Sequence, residues 1–101
     1  MSEESIVTKN VANELNGKDF SHVRGEGWRG SGRVHAQYVD FSGDRIKVTV
    51  TIEVYQTPID NTELGTRIGH FINHWIDGYF LNHPKDRARS HPRVELVIKK
   101  A

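Results

Sequence analysis

The sequence has no cysteine, one methionine and three prolines, and no apolar run in it exceeds three residues, as at Tyr79-Phe80-Leu81. Without cysteine there is no disulfide framework, thiol catalysis or thiolate metal site, and the expected setting is a reducing compartment, the cytoplasm. Without a run of about 20 apolar residues there is no transmembrane helix, so no membrane partner is expected. Residues 1–20 contain Glu3, Glu4, Lys9, Glu14, Lys18 and Asp19 where a secretory signal would carry an apolar stretch. What remains is a chain of 101 residues, 36% hydrophobic and 27% charged. That composition fits a single domain over residues 1–101, with a small core and modest stability.

The formal net charge of +1 hides an uneven distribution. Residues 1–20 sum to −2, residues 21–49 to +2, residues 50–82 to −3 and residues 83–101 to +4. The basic excess sits in a middle stretch with Arg24, Arg29 and Arg33, and in a tail with Lys85, Arg87, Arg89, Arg93, Lys99 and Lys100. Such asymmetry marks an anionic partner, unless these side chains simply populate solvated loops.

Periodicity places the elements. Val7, Val11 and Leu15 recur every fourth residue and predict a short helix over Ser5 to Leu15, ended by Asn16-Gly17. Residues 24–32 hold four of the nine glycines and predict a mobile Gly/Arg-rich loop. Arg33 to Phe41 alternates loosely, with a change of face near Asp40 that suggests a bulge or a strand buried on both sides. Beyond a turn at Ser42-Gly43-Asp44, Ile46, Val48, Val50, Ile52 and Val54 alternate with polar residues, the signature of a strand with one dry face.

Asp60 is placed to cap a long helix, with Glu63 as its capping-box partner, and helical periodicity runs from Thr62 to Leu81. Its apolar residues occupy about half the circumference, whereas lying on one sheet needs only about 100°. The extra width carries Ile76 and Phe80 beside Gly65 and Gly69, glycines that would allow close backbone approach. This flank is covered either by the N-terminal helix or by a second subunit. Residues 82–93 read as a basic His-Pro loop, and Val94, Leu96 and Ile98 as a last strand.

The expected fold is therefore α+β: a small antiparallel sheet of three or four strands, a short N-terminal helix and one long helix packed on it, in the order α-β-β-α-β. This order, across most of the chain, resembles that of small phage head–tail joining and tail-terminator proteins. The resemblance implies assembly into rings.

Four constellations bear on chemistry. Gly25 to Gly30 satisfies G-x-G-x-x-G by letter but leads into a strand, and the chain is too short for a doubly wound sheet, so no dinucleotide cofactor is expected. The same stretch suits anion binding, with Arg24, Arg29 and Arg33 neutralising phosphates and Trp28 stacking on a base. The alternative is that Trp28 folds back to cover the sheet edge. Asn82-His83-Pro84-Lys85 recurs as Ser90-His91-Pro92-Arg93, and with Arg87 and Arg89 it forms a second candidate anion grip. His70 and His74 stand four apart on the long helix near Asp77, a weak zinc candidate that lacks the metalloprotease glutamate.

No serine lies in a G-x-S-x-G turn, and no carboxylates are paired for acid–base work. The expected function is a small non-enzymatic binding module for an anionic partner, foremost a nucleic-acid backbone, gripped by Arg24, Trp28, Arg29, Arg33, Lys85, Arg87, Arg89 and Arg93. The alternative is a homo-oligomeric assembly protein with Gly65, Gly69, Ile76 and Phe80 at its interface. A third is a metal or hydrolytic site using His70, His74 and Asp77.

Overall fold

The alternating run beyond residue 45 becomes the centre of the sheet. The computed structural model describes residues 3–39, 45–56, 59–87 and 92–101. Its elements are α1 (Glu3–Leu15), β1 (Arg24–Gly25), β2 (Trp28–Tyr38), β3 (Arg45–Val54), α2 (Asn61–Asn82), α3 (Pro84–Arg87) and β4 (Arg93–Lys100). This is an α+β fold around a four-stranded sheet ordered β1-β2-β3-β4. Ile46, Val48, Val50 and Ile52 are fully buried on one face of β3, while the residues between them remain partly or fully exposed. α1 contributes Val7, Val11 and Leu15 to the core over that face, and α2 contributes Leu64, Ile68 and Ile72.

Local signals set the ends of the helices. Gly17 takes φ +87 beyond α1, and the Asn16 side chain accepts the Ala36 N–H at 3.1 Å. The chain then runs along the free edge of β2. Gly17 N–H donates to Val34 O at 2.8 Å, Phe20 N–H to Gly32 O at 2.8 Å and Gly30 N–H to Val23 O at 2.6 Å. Asp60 caps α2 by accepting the Thr62 N–H at 2.7 Å, while Glu63 pairs with Arg67 at 2.9 Å.

The structure departs from the sequence expectations at three places. The sheet is mixed: β1, β2 and β3 are antiparallel, but β4 runs parallel to β3. A strand reached through a helix that crosses one face of the sheet returns in the same direction, so α2 dictates this. Secondly, residues 24–32 form a hairpin. Gly27 makes its turn at φ +80, and Gly30 passes so close to the Phe20 carbonyl that a Cβ would overlap it. The glycines reflect a tight turn and a close approach, which composition alone reads as mobility.

Thirdly, the expected loop over 82–93 begins as helix, because α2 continues to Asn82 and α3 follows from Pro84. Proline suits a first helical position, where no N–H is needed. A bulge that the sequence did not signal lies between Ser31 and His35, where β2 has two residues more than β3. The change of face near Asp40 and the Ser42-Gly43-Asp44 turn lie outside the described residues.

Of the two covers the sequence allows for the extra flank of α2, the structure shows the N-terminal helix: Ile76 and Phe80 are 0% and 4% exposed, so they are not free surface for a subunit. α1 covers that flank of α2, bringing Asn10 and Glu14 against Tyr79. Gly65 and Gly69 serve no close approach, since a Cβ at either would meet nothing within 4 Å. No helix among the described residues is long and apolar enough to cross a membrane.

Candidate anion-binding face of the sheet

With both long helices packed over one face, the other face of the sheet stays open among the described residues. Residues paired across strands share a face, so the register defines its rows. Arg24, Arg29 and Glu53 form the first row, and Ser31, Thr51 and Lys99 the second. His35, Thr49 and Val97 follow, then Gln37, Lys47 and Glu95, and last Arg45 and Arg93. The face thus carries six lysines and arginines against two carboxylates.

The cations concentrate at its two ends. The Arg29–Glu53 row and the Arg45–Arg93 row are eight residues apart along β3, about 26 Å at ~3.3 Å per residue. At the first end Arg29 Nε and Nη2 both reach Glu53 Oε2 at 2.6 Å. Both side chains are about half exposed, so this pair orients Arg29 but contributes little stability. Tyr55, 66% exposed, sits at the same end, its hydroxyl donating to the Trp28 carbonyl at 3.4 Å. At the second end Arg45, Arg93, Val94 and Glu95 line a shallow hollow.

The residues singled out from sequence fare differently. Arg24, Arg29 and Arg93 lie on this face. Trp28 does not: it is 1% exposed, and its indole packs where a Cβ on Gly25 would stand, so it has no surface for stacking. A large apolar ring beside a glycine gains more by covering the core than by facing water. Arg33 turns to the β2 edge, where its guanidinium donates to the Gly17 carbonyl at 2.8 Å and its backbone forms a β-bridge with Asp19. The Ser21 N–H donates to Asp19 Oδ1 at 3.0 Å. That bond and the Ser21 hydroxyl hold the Asp19 carboxyl below its usual range, with a smaller pull from His22 and Arg33.

Lys85 is exposed on α3, which belongs to the helical side. Arg87 ends α3, its side chain outside the described set, and Arg89 lies outside the described residues. Among the described residues, Arg24 and Arg29 lie at one end of the open face and Arg93 at the other. Gly65 and Gly69 line a groove of about 330 Å³ between α2 and β4, with Ile72, Asn73, Pro92, Val94 and Leu96. His70 and His74 are both exposed, with Phe71 between them, and among the described residues no group of three or more His, Cys, Asp or Glu is placed to hold a metal.

Sequence reasoning missed Arg45, Lys47 and Lys99 as members of the site, although the polar positions of the alternating strand already contained the first two. It also missed a clasp at the end of α2. There the Tyr79 hydroxyl donates to Asp86 Oδ2 at 2.8 Å, and His83 stacks on the Tyr79 ring at 4.1 Å. Burial, then the bond to Asp86, pushes the Tyr79 hydroxyl up to about 12. Tyr79 is 6% exposed, which makes this clasp a closure of the helix end. Compared with known proteins, the chain matches no family model, no curated protein and no solved structure.

Proposed function

We propose that this is a non-enzymatic binding module that holds an anionic polymer, a nucleic-acid backbone, across the open face of its sheet. One observation carries the reading: a sheet face, open among the described residues, on which six cations outnumber two carboxylates. An extended, shallow basic surface suits a phosphate backbone better than it suits a small molecule, which needs a concave apolar pocket. Arg24 and Arg29 at one end, and Arg45, Lys47 and Arg93 at the other, neutralise phosphates. Tyr55 offers the exposed ring that Trp28 does not, in position to stack on a base next to Arg29.

The test is the anisotropy of labelled single- and double-stranded oligonucleotides, titrated at several salt concentrations. Each phosphate contact contributes a slope of roughly 0.7–0.9 in log affinity against log salt. The paired change Arg45→Ala with Arg93→Ala lowers affinity and flattens that slope. Lys85→Ala, on the helical side, leaves both unchanged. An equal effect of Lys85→Ala moves the site off the sheet face.

A further inference from the structure

β4 is an edge strand, and its outer edge meets no other strand or bridge among the described residues. The direction of its free groups follows from one bond. Ala101 N–H donates to Ile52 O at 2.8 Å, continuing the ladder with β3. In a parallel ladder alternate residues turn both backbone groups to the same neighbour. Odd-numbered residues of β4 therefore bond inward to β3, and Val94, Leu96, Ile98 and Lys100 aim their N–H and C=O groups outward. Such an edge is a template for another strand unless it is blunted.

We propose that a second copy of this chain fills it: two β4 strands pair antiparallel about Val97, setting Glu95 opposite the partner's Lys99 and joining both sheets into one. A two-fold axis normal to a continuous sheet keeps each residue on its own face, so paired residue numbers must sum to an even value. Among those registers, centring on Val97 matches every feature of the strand. Glu95 meets the partner's Lys99 twice, once on each side of the axis, and Leu96 meets the partner's Ile98 twice. The outward-aimed residues pair with outward-aimed residues, which is the hydrogen-bonded position. The charge pairs fall at the non-hydrogen-bonded position, where side chains approach most closely.

Neighbouring registers fail. Shifting by one step toward the start of β4 sets Arg93 against the partner's Lys99, and a further step sets Glu95 against the partner's Glu95. The opposite shift leaves no opposite-charge pair. Packing argues the same way. The core-facing residues of β3 are fully buried, whereas Val94, Leu96 and Ile98 of β4 stay partly exposed beside the α2 groove, and a paired strand gives them neighbours. Nothing in this dimer depends on nucleic-acid binding, although the axis would leave both basic faces on one side.

Sedimentation and light scattering of the protein alone test it. The wild type should show a mass twice the 11.5 kDa of the chain, and a wild type that stays monomeric at the highest soluble concentration overturns the proposal. Glu95→Lys and Lys99→Glu, each on the open face, should weaken the dimer on the order of tenfold or more, since each replaces two attractive cross-strand pairs by two repulsive ones. Mixing the two variants should restore it. The lysine introduced in one chain then faces the glutamate introduced in the other, and the retained Lys99 of the first faces the retained Glu95 of the second. The double variant Glu95→Lys with Lys99→Glu should dimerise like the wild type. Circular dichroism melting of each variant separates loss of pairing from loss of folding. Single variants that fold and dimerise undiminished, or a mixture that stays monomeric, rule this register out.

Discussion

At the scale of single residues, glycine and tryptophan decide the shape of the edge that leads to the candidate site. Gly30 lies against the Phe20 carbonyl and ring, and Gly25 against the Trp28 indole. Gly30→Ala should cost about 1–3 kcal/mol, the range for forcing atoms into a packed core, which melting in the presence of denaturant reads directly. Tyr79 gives a pH signature of its own. Its proton is held to about 12 in the folded chain, while an unfolded tyrosine releases it near ~10. Between those values the unfolded state binds fewer protons, so its stabilising contribution, intact below ~10, falls by up to about 1.4 kcal/mol per pH unit. The difference in stability between wild type and Tyr79→Phe should therefore shrink across that window. A constant difference contradicts the burial of this hydroxyl.

At the scale of elements, the legible parts were those fixed by short-range rules. α1, β3 and α2 are visible in the sequence because period and capping depend on neighbouring residues: Gly17 ends one helix and Asp60 starts another. What escaped depends on contacts distant in sequence. The 24–32 hairpin needs Phe20 and Gln56 beside its glycines to be understood, and the parallel direction of β4 follows from the path of α2. Between a stacking Trp28 and one folded back, its glycine and arginine neighbours in sequence do not decide, whereas its spatial neighbours, the core, do. Between a second subunit and α1 as the cover of Ile76 and Phe80, the sequence does not decide either, because α1 is remote along the chain. The site shows the same division: Arg24 and Arg29 were readable as cations, but their row with Glu53 and the opposite row of Arg45 with Arg93 exist only through strand pairing. α2 also yields a prediction. Since Gly65 and Gly69 face open space, Gly65→Ala and Gly69→Ala should each raise stability, by up to about 1 kcal/mol. A loss on either substitution would mean that the groove beside β4 is occupied.

At the scale of the whole molecule, the sheet divides two tasks. One face holds α1 and α2 and nearly all of the apolar core. The other carries mostly polar side chains whose net charge is positive, although the chain as a whole is close to neutral. In the proposed dimer the open edge at β4 extends that surface through a second copy. Binding of a phosphate backbone by the open face is tested most directly by the salt dependence of oligonucleotide affinity for the wild type and for Arg45→Ala with Arg93→Ala. Binding at low salt should weaken steeply as salt rises, with a slope smaller in the variant by roughly one to two units. No binding at low salt, or an identical slope in the folded variant, would contradict this reading.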